Sequence, residues 1–132
     1  MTSAEMDGNS RVAPYGLVYM LRNTVNGKAY VGATRTKLAL RIKSHRGAAR
    51  ALARGTANRD QSQLVTQAMV MYGALAFRLE SAWPATDAQC LDELERSKID
   101  EVGTLAPNGY NLELGGLRGP GRSTYVGIVI SD

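Results

Sequence analysis

Along the chain, short stretches rich in apolar residues are separated by turns marked with glycine and asparagine. Residues 17–21 are dense in strand formers with weak alternation and run into Asn23-Thr24-Val25-Asn26-Gly27. Asn26-Gly27 predicts a type I′ hairpin turn, where both residues take positive φ, and residues 28–32 return as the second strand. From Thr36, a candidate N-cap, small or apolar residues recur at Leu38, Ile42, Ala49 and Ala53, which predicts a helix to about Arg54. A polar loop at 55–60 leads to a second helix at about 61–72, closed by Gly73. Residues 75–83 read as a strand stopped by Pro84. A third helix runs from Thr86 or Asp87 to Val102, with Gly103 just past its end. Asn108-Gly109 marks a turn before a short strand at 110–114.

These elements make one domain, over residues 14–116. The chain's 132 residues suffice for a single core but not for two. Residues 1–13 lack the basic start and apolar stretch of a secretory signal and are expected to form a flexible tail. Residues 117–132 read as the glycine-rich linker that begins at Gly115 and then a short apolar strand at 124–130. That strand either adds to a sheet edge or pairs with another copy. No apolar run approaches the ~18–20 residues of a membrane span, so a membrane partner is not expected. Cys90 is the single cysteine, which excludes a disulfide framework and a thiolate metal cage. A cytoplasmic location is expected, and Cys90 reads as a small apolar helix residue rather than a nucleophile.

Charge changes the picture more than composition does. The net charge is only +4, but from Gly8 to Arg59 there is no Asp or Glu, against eleven Arg and Lys residues. From Asp60 to Gly116 nine acidic residues face three basic ones. A one-sided positive field attracts a polyanion, and nucleic acid is the commonest candidate.

Three features resist a purely structural reading. On the third helix, Ala88, Leu91, Ile99 and Val102 share a stripe, and Glu95 falls inside it. A carboxylate facing the core is costly unless it is paired with an arginine or binds a cation, and the two readings stand level. On the first helix, Arg41 and His45 are neighbours at i, i+4 on the margin of the apolar stripe. An arginine there can hold a phosphate through parallel hydrogen bonds. His45 is either an acid–base group or a histidine packed at the helix edge, the second being the commoner case. Lys43, Arg50 and Arg54 point outward. In the hairpin, any loop of even length puts Tyr19 and Tyr30 on one face of the sheet, with Lys28 joining them. Taken singly, each tyrosine is a packing residue.

Together these residues carry a family resemblance. Gly16-Leu17-Val18-Tyr19, ten intervening residues and then Tyr30-Val31-Gly32 resemble the paired motifs of the GIY-YIG nucleases. The likeness continues through Asn23, Asn26-Gly27-Lys28, Leu38 and the run from Arg41 to Arg46. It resumes at Tyr72-Gly73 before Phe77, at Glu93-Leu94-Glu95 and at Asn108-Gly109-Tyr110-Asn111. It covers residues 14–116 in order, with one departure: the first motif glycine aligns with Leu17, Gly16 lying one place earlier.

The resemblance implies a compact α/β (α+β) domain, a small three-stranded antiparallel sheet flanked by helices. It implies one site that hydrolyses phosphodiesters with a single divalent cation, Mg²⁺ or Mn²⁺. By position, Tyr19 and Tyr30 match the motif tyrosines, Arg41 the catalytic arginine, Glu95 the metal ligand and Asn111 the terminal asparagine. His45 matches a position often occupied by histidine or tyrosine in the family. Glu95 would hold the cation against the phosphate, Arg41 would stabilise the transition-state charge, and a tyrosine, with Tyr19 favoured, would deprotonate the attacking water. A phenol of pKa ~10 needs help from nearby cations, for which Lys28, Arg41 or the metal are candidates. Asn111 would orient a site group by hydrogen bonding. Lys43, Arg46, Arg50 and Arg54 are the expected phosphate contacts. The expected partner is double-stranded DNA, cut by an endonuclease of homing or mobile-element type. Restriction- or repair-type cutting, cutting of branched DNA or RNA, and an inert binding module are the alternatives. With only the start of a linker after the domain, specificity would come from the basic helix, self-association or a separate partner.

Overall fold

A computed structural model describes residues 14–57 and 63–112. The expected tail, the linker from Gly115 and the strand expected at 124–130 lie outside the described residues. Within them, a three-stranded antiparallel sheet is built from β1 (Gly16–Asn23), β2 (Ala29–Thr34) and β3 (Phe77–Ala85), in the order β2-β1-β3. Three helices accompany it: α1 (Leu38–Ala53), α2 (Leu64–Tyr72) and α3 (Ala88–Val102).

The weak alternation of residues 17–21 has a physical cause. β1 is the central strand and is buried on both faces, so both sets of alternate residues are apolar. Tyr19 and Leu21 join Tyr30, Ala49, Val65, Met69 and Phe77 in the core beneath α1 and α2. Val18 and Met20 join Val31, Ala85, Leu91 and Ile99 in a second core beneath α3. The middle of the predicted stripe on α3 is buried, at Leu91, Glu95 and Ile99, while Val102 is half-buried and Ala88, in the first turn, is exposed. The ends of α3 are fixed as the sequence suggests. The Asp87 carboxylate accepts from Cys90 N–H at 2.7 Å, and Gly103 adopts the left-handed conformation, φ 80°.

Several boundaries differ from expectation. The hairpin is not a two-residue type I′ turn, because among the described non-glycine residues none takes positive φ and only Gly27 of the pair does, at 81°. Thr24 to Gly27 form a four-residue loop instead, closed by Asn23 N–H to the Lys28 carbonyl and Gly27 N–H to the Asn23 carbonyl, both at 2.8 Å. The second strand therefore starts at Ala29 rather than Lys28 and runs on to Thr34. Thr36 is not the N-cap of α1; Lys37 is, without a side-chain cap, and the Thr36 hydroxyl pairs with that of Thr34 at 2.9 Å. The second helix starts at Leu64, after residues 58–62, which are not described. A 3₁₀ turn occupies Ala74–Ala76, so β3 begins at Phe77 and passes through Pro84, which an edge strand tolerates. The strand expected at 110–114 is, as far as described, a single parallel bridge between Leu105 and Asn111.

Candidate active site

The even-loop argument holds: Leu21 faces Tyr30 and Tyr19 faces Gly32 across the hairpin, so both tyrosines lie on the α1 side. His45, near the middle of α1, packs edge-on against both rings, 5.9 Å from Tyr19 and 5.5 Å from Tyr30 between centroids. The two tyrosine rings are themselves 6.2 Å apart at 61°. These edge-to-face contacts suit the ring quadrupoles. They require close approach, and Gly32 supplies it. A Cβ there would lie 2.6 Å from the Tyr19 Cζ and hydroxyl and 2.7 Å from Tyr30 Cε2.

The Tyr19 hydroxyl is the hub. It lies 2.7 Å from His45 Nε2 and accepts from Arg41 Nε at 3.1 Å. The i, i+4 spacing on α1 lets both residues reach one oxygen. The expected place of His45 at the helix edge is corrected: it is 4% exposed and inside the core. Burial, and then the Arg41 charge, lower its pKa to about 4, so it is a neutral imidazole at physiological pH. With its proton on Nδ1, Nε2 can accept from the tyrosine. Burial raises the Tyr19 phenol above its ordinary value; Arg41 works against this, and Glu95 adds to it. Tyr30 is raised too, by burial first and then by Tyr19. For Arg41, burial opposes the cation but the two tyrosines outweigh it, holding the guanidinium above its usual range.

Glu95 arrives from the other side of the sheet, on α3, and is 8% exposed. Its charge acts on both tyrosines, which places the carboxylate within electrostatic reach of the hub. Among the described residues no three His, Cys, Asp or Glu side chains form a cage for a metal. A lone buried carboxylate nevertheless fits Mg²⁺, which is commonly held by one or two carboxylates together with substrate phosphate and water.

Asn111 acts one step away. Its amide oxygen accepts from Val31 N–H at 2.9 Å, and its amide nitrogen donates to the Val31 carbonyl at 2.8 Å. It thus grips the backbone between Tyr30 and Gly32. Thr104, which the sequence did not mark, donates to the Asn111 amide oxygen at 2.7 Å and fixes which way the amide faces. Tyr110, which the sequence placed in the last motif without a role, receives the amides of Asn23 and Asn26 on its hydroxyl at 3.1 and 3.0 Å, pinning the hairpin loop. Lys28 is not brought to the tyrosines. With the strand starting one residue later, it is exposed and borders a groove beside Met71, Pro107 and Tyr110. Lys43, Arg46, Arg50 and Arg54 are all exposed on α1.

Comparison with known proteins agrees with this geometry. Residues 15–111 match the family model of the GIY-YIG catalytic domain. A solved glutamate-to-alanine mutant of the catalytic domain of intron endonuclease I-TevI superposes with a TM-score of 0.55 at 24% identity, over 73% of this chain and 91% of that one. At such identity the likeness speaks for the fold. A comparison with curated proteins gave no match. Since the family model spans well over half of the sequence, and its two motif tyrosines meet at one hydroxyl-centred cluster, the chain belongs to the GIY-YIG nuclease family.

Proposed function

We propose that this protein is a divalent-metal-dependent endonuclease that hydrolyses phosphodiester bonds of double-stranded DNA, of the homing or mobile-element type. The observation that carries the chemistry is the Tyr19 hydroxyl held between Arg41 Nε and His45 Nε2. A solved structure of similar fold is the catalytic domain of an intron endonuclease, and the homing or mobile-element class is taken from that protein; restriction- or repair-type cutting is the alternative reading.

Tyr19 is the general base toward the attacking water. Neutral His45 accepts a hydrogen bond from the hydroxyl and orients it, and any negative charge that develops on the phenolic oxygen is balanced by the Arg41 guanidinium. The remaining guanidinium edge is placed to stabilise the charge that develops on the phosphate. Glu95 is the residue that would hold the cation; a dication there would supply Lewis-acid polarisation of the phosphate and offset the part of the phenol shift that comes from the Glu95 charge. Tyr30 packs and hydrogen-bonds the hub, while Asn111 holds the strand that carries it. Lys43, Arg46, Arg50 and Arg54 supply phosphate contacts along α1.

Supercoiled plasmid incubated with Mg²⁺ or Mn²⁺, or with chelator, tests the reading. Nicking that needs the metal and disappears in Glu95→Ala and Tyr19→Phe is expected. Unchanged cutting by Glu95→Ala would remove the metal ligand, and binding without cutting by the native chain would identify an inert module. Sequencing the cut ends separates site-specific from indiscriminate cleavage.

A further inference from the structure

One exposed cation of the basic half is propped on an aromatic ring. Arg35 follows β2, and its guanidinium carbon sits 4.1 Å from the centroid of the Tyr15 ring. Tyr15 is half-buried and packs against the core that contains Val18, Leu91 and Ile99, so the ring is a fixed support. The backbone is fixed as well. The Thr34 hydroxyl accepts from Thr36 N–H at 3.0 Å and pairs with the Thr36 hydroxyl at 2.9 Å, closing a turn around Arg35. An arginine stacked on an aromatic face keeps its N–H edges available for an oxyanion.

The position matters. Gly32 lies directly against the Tyr19 hydroxyl, and Arg35 follows three residues later, at most ~10 Å along an extended chain. Successive phosphates of one DNA strand advance ~3.4 Å along the helix axis, so a duplex with a phosphate at Arg41 carries others within that distance. Asp92 lines the same open hollow as Tyr15, Thr34 and Arg35, of about 290 Å³. Its carboxylate disfavours a phosphate within the hollow and leaves the outer guanidinium edge as the contact.

We propose that Arg35, propped on Tyr15, is a phosphate-binding residue for the DNA strand flanking the scissile bond. This rests on the DNA endonuclease reading above, and it adds a contact off the basic helix, at the mouth of the hairpin.

The test measures binding of a short fluorescent duplex across a salt series, with every protein carrying Glu95→Ala so that nothing is cut. Arg35→Ala should weaken binding about five- to tenfold near 0.1 M salt and reduce the slope of log affinity against log salt by about 0.9. Tyr15→Leu keeps the charge and should keep the slope while weakening binding about two- to threefold. Thermal unfolding of each variant is followed in parallel. Binding and slope unaltered by Arg35→Ala would overturn the proposal, as would binding losses that only track losses of Tm. No duplex binding by the Glu95→Ala parent at low salt would instead overturn the DNA reading itself.

Discussion

The Tyr19 hydroxyl and His45 Nε2 lie 2.7 Å apart in the protein interior, and the imidazole is the partner that stays uncharged. Holding His45 neutral makes folding depend on pH. Its folded pKa of about 4 lies below the unfolded value of 6.5, so below 6.5 the unfolded chain binds a proton that the native chain does not. Stability is full above pH 6.5, falls as pH drops toward 4 and levels below it. Between pH 7.5 and pH 5 the loss from this group should be about 2 kcal/mol. His45 is the chain's single histidine, so His45→Gln should flatten the difference in denaturant midpoints between these pH values. An undiminished slope in that variant would assign it to carboxylates.

Tyr19→Phe keeps the ring contacts but removes the acceptor of Arg41 Nε and the partner of His45. Cleavage should fall by about 10²- to 10⁴-fold, the range of a lost general base. Tyr30→Phe, whose hydroxyl is not the hub, should cost less. Equal losses in single-turnover assays would put the base role on the pair rather than on Tyr19.

Burial raises both tyrosine phenols, and the Glu95 charge adds a smaller push in the same direction. Glu95→Gln should therefore lower the Tyr19 phenol pKa, read by NMR of a site-specifically labelled tyrosine ring, in the direction opposite to the one burial imposes. The readout needs neither metal nor DNA. A titration curve identical to that of the native chain would separate Glu95 from the tyrosines.

Gly32→Ala puts a methyl 2.6 Å from the Tyr19 Cζ and hydroxyl. Both tyrosines are buried and cannot swing away, so the substitution should cost roughly 1–3 kcal/mol by overpacking. It should also cut activity more than stability, because the hydroxyl itself is displaced. Chemical denaturation beside a cleavage assay distinguishes the two effects.

Asn111→Ala leaves the Val31 N–H and C=O and the Thr104 hydroxyl without their partner. A loss of about 2–4 kcal/mol is expected from buried groups left unsatisfied. Thr104→Val should lose about 1 kcal/mol and Thr104→Ser little, since serine keeps the donor. Urea midpoints check the order of the three.

Side-chain parity and helical phase made much of this site legible in the sequence. Tyr19 and Tyr30 share a face whatever the loop conformation, provided its length is even, and Glu95 falls on the buried stripe by angle alone. Lys28 failed the same argument, because parity fixes a face but not a distance, and the strand begins beyond it. The turn was misread for a local reason: asparagine tolerates positive φ but does not require it, and four loop residues serve where two were expected. His45 looked marginal because α1 carries alanines where larger residues would mark its buried side; Ala48 and Ala49 are what let the imidazole sink. Thr104 had no signal, since its partner lies seven residues away across an irregular loop.

The grip of Asn111 on Val31, with Tyr110 N–H donating to the Ala29 carbonyl at 2.9 Å, gives β2 the outer bonds that a fourth strand would otherwise make. A foreign chain seeking to extend the sheet finds that border occupied at Ala29 and Val31. Among the described residues the other edge is β3, interrupted by Pro84 and by the register shift opposite Met20 and Leu21. Pairing with a foreign strand is thereby directed toward β3, the margin farthest from the YVG strand and its tyrosine.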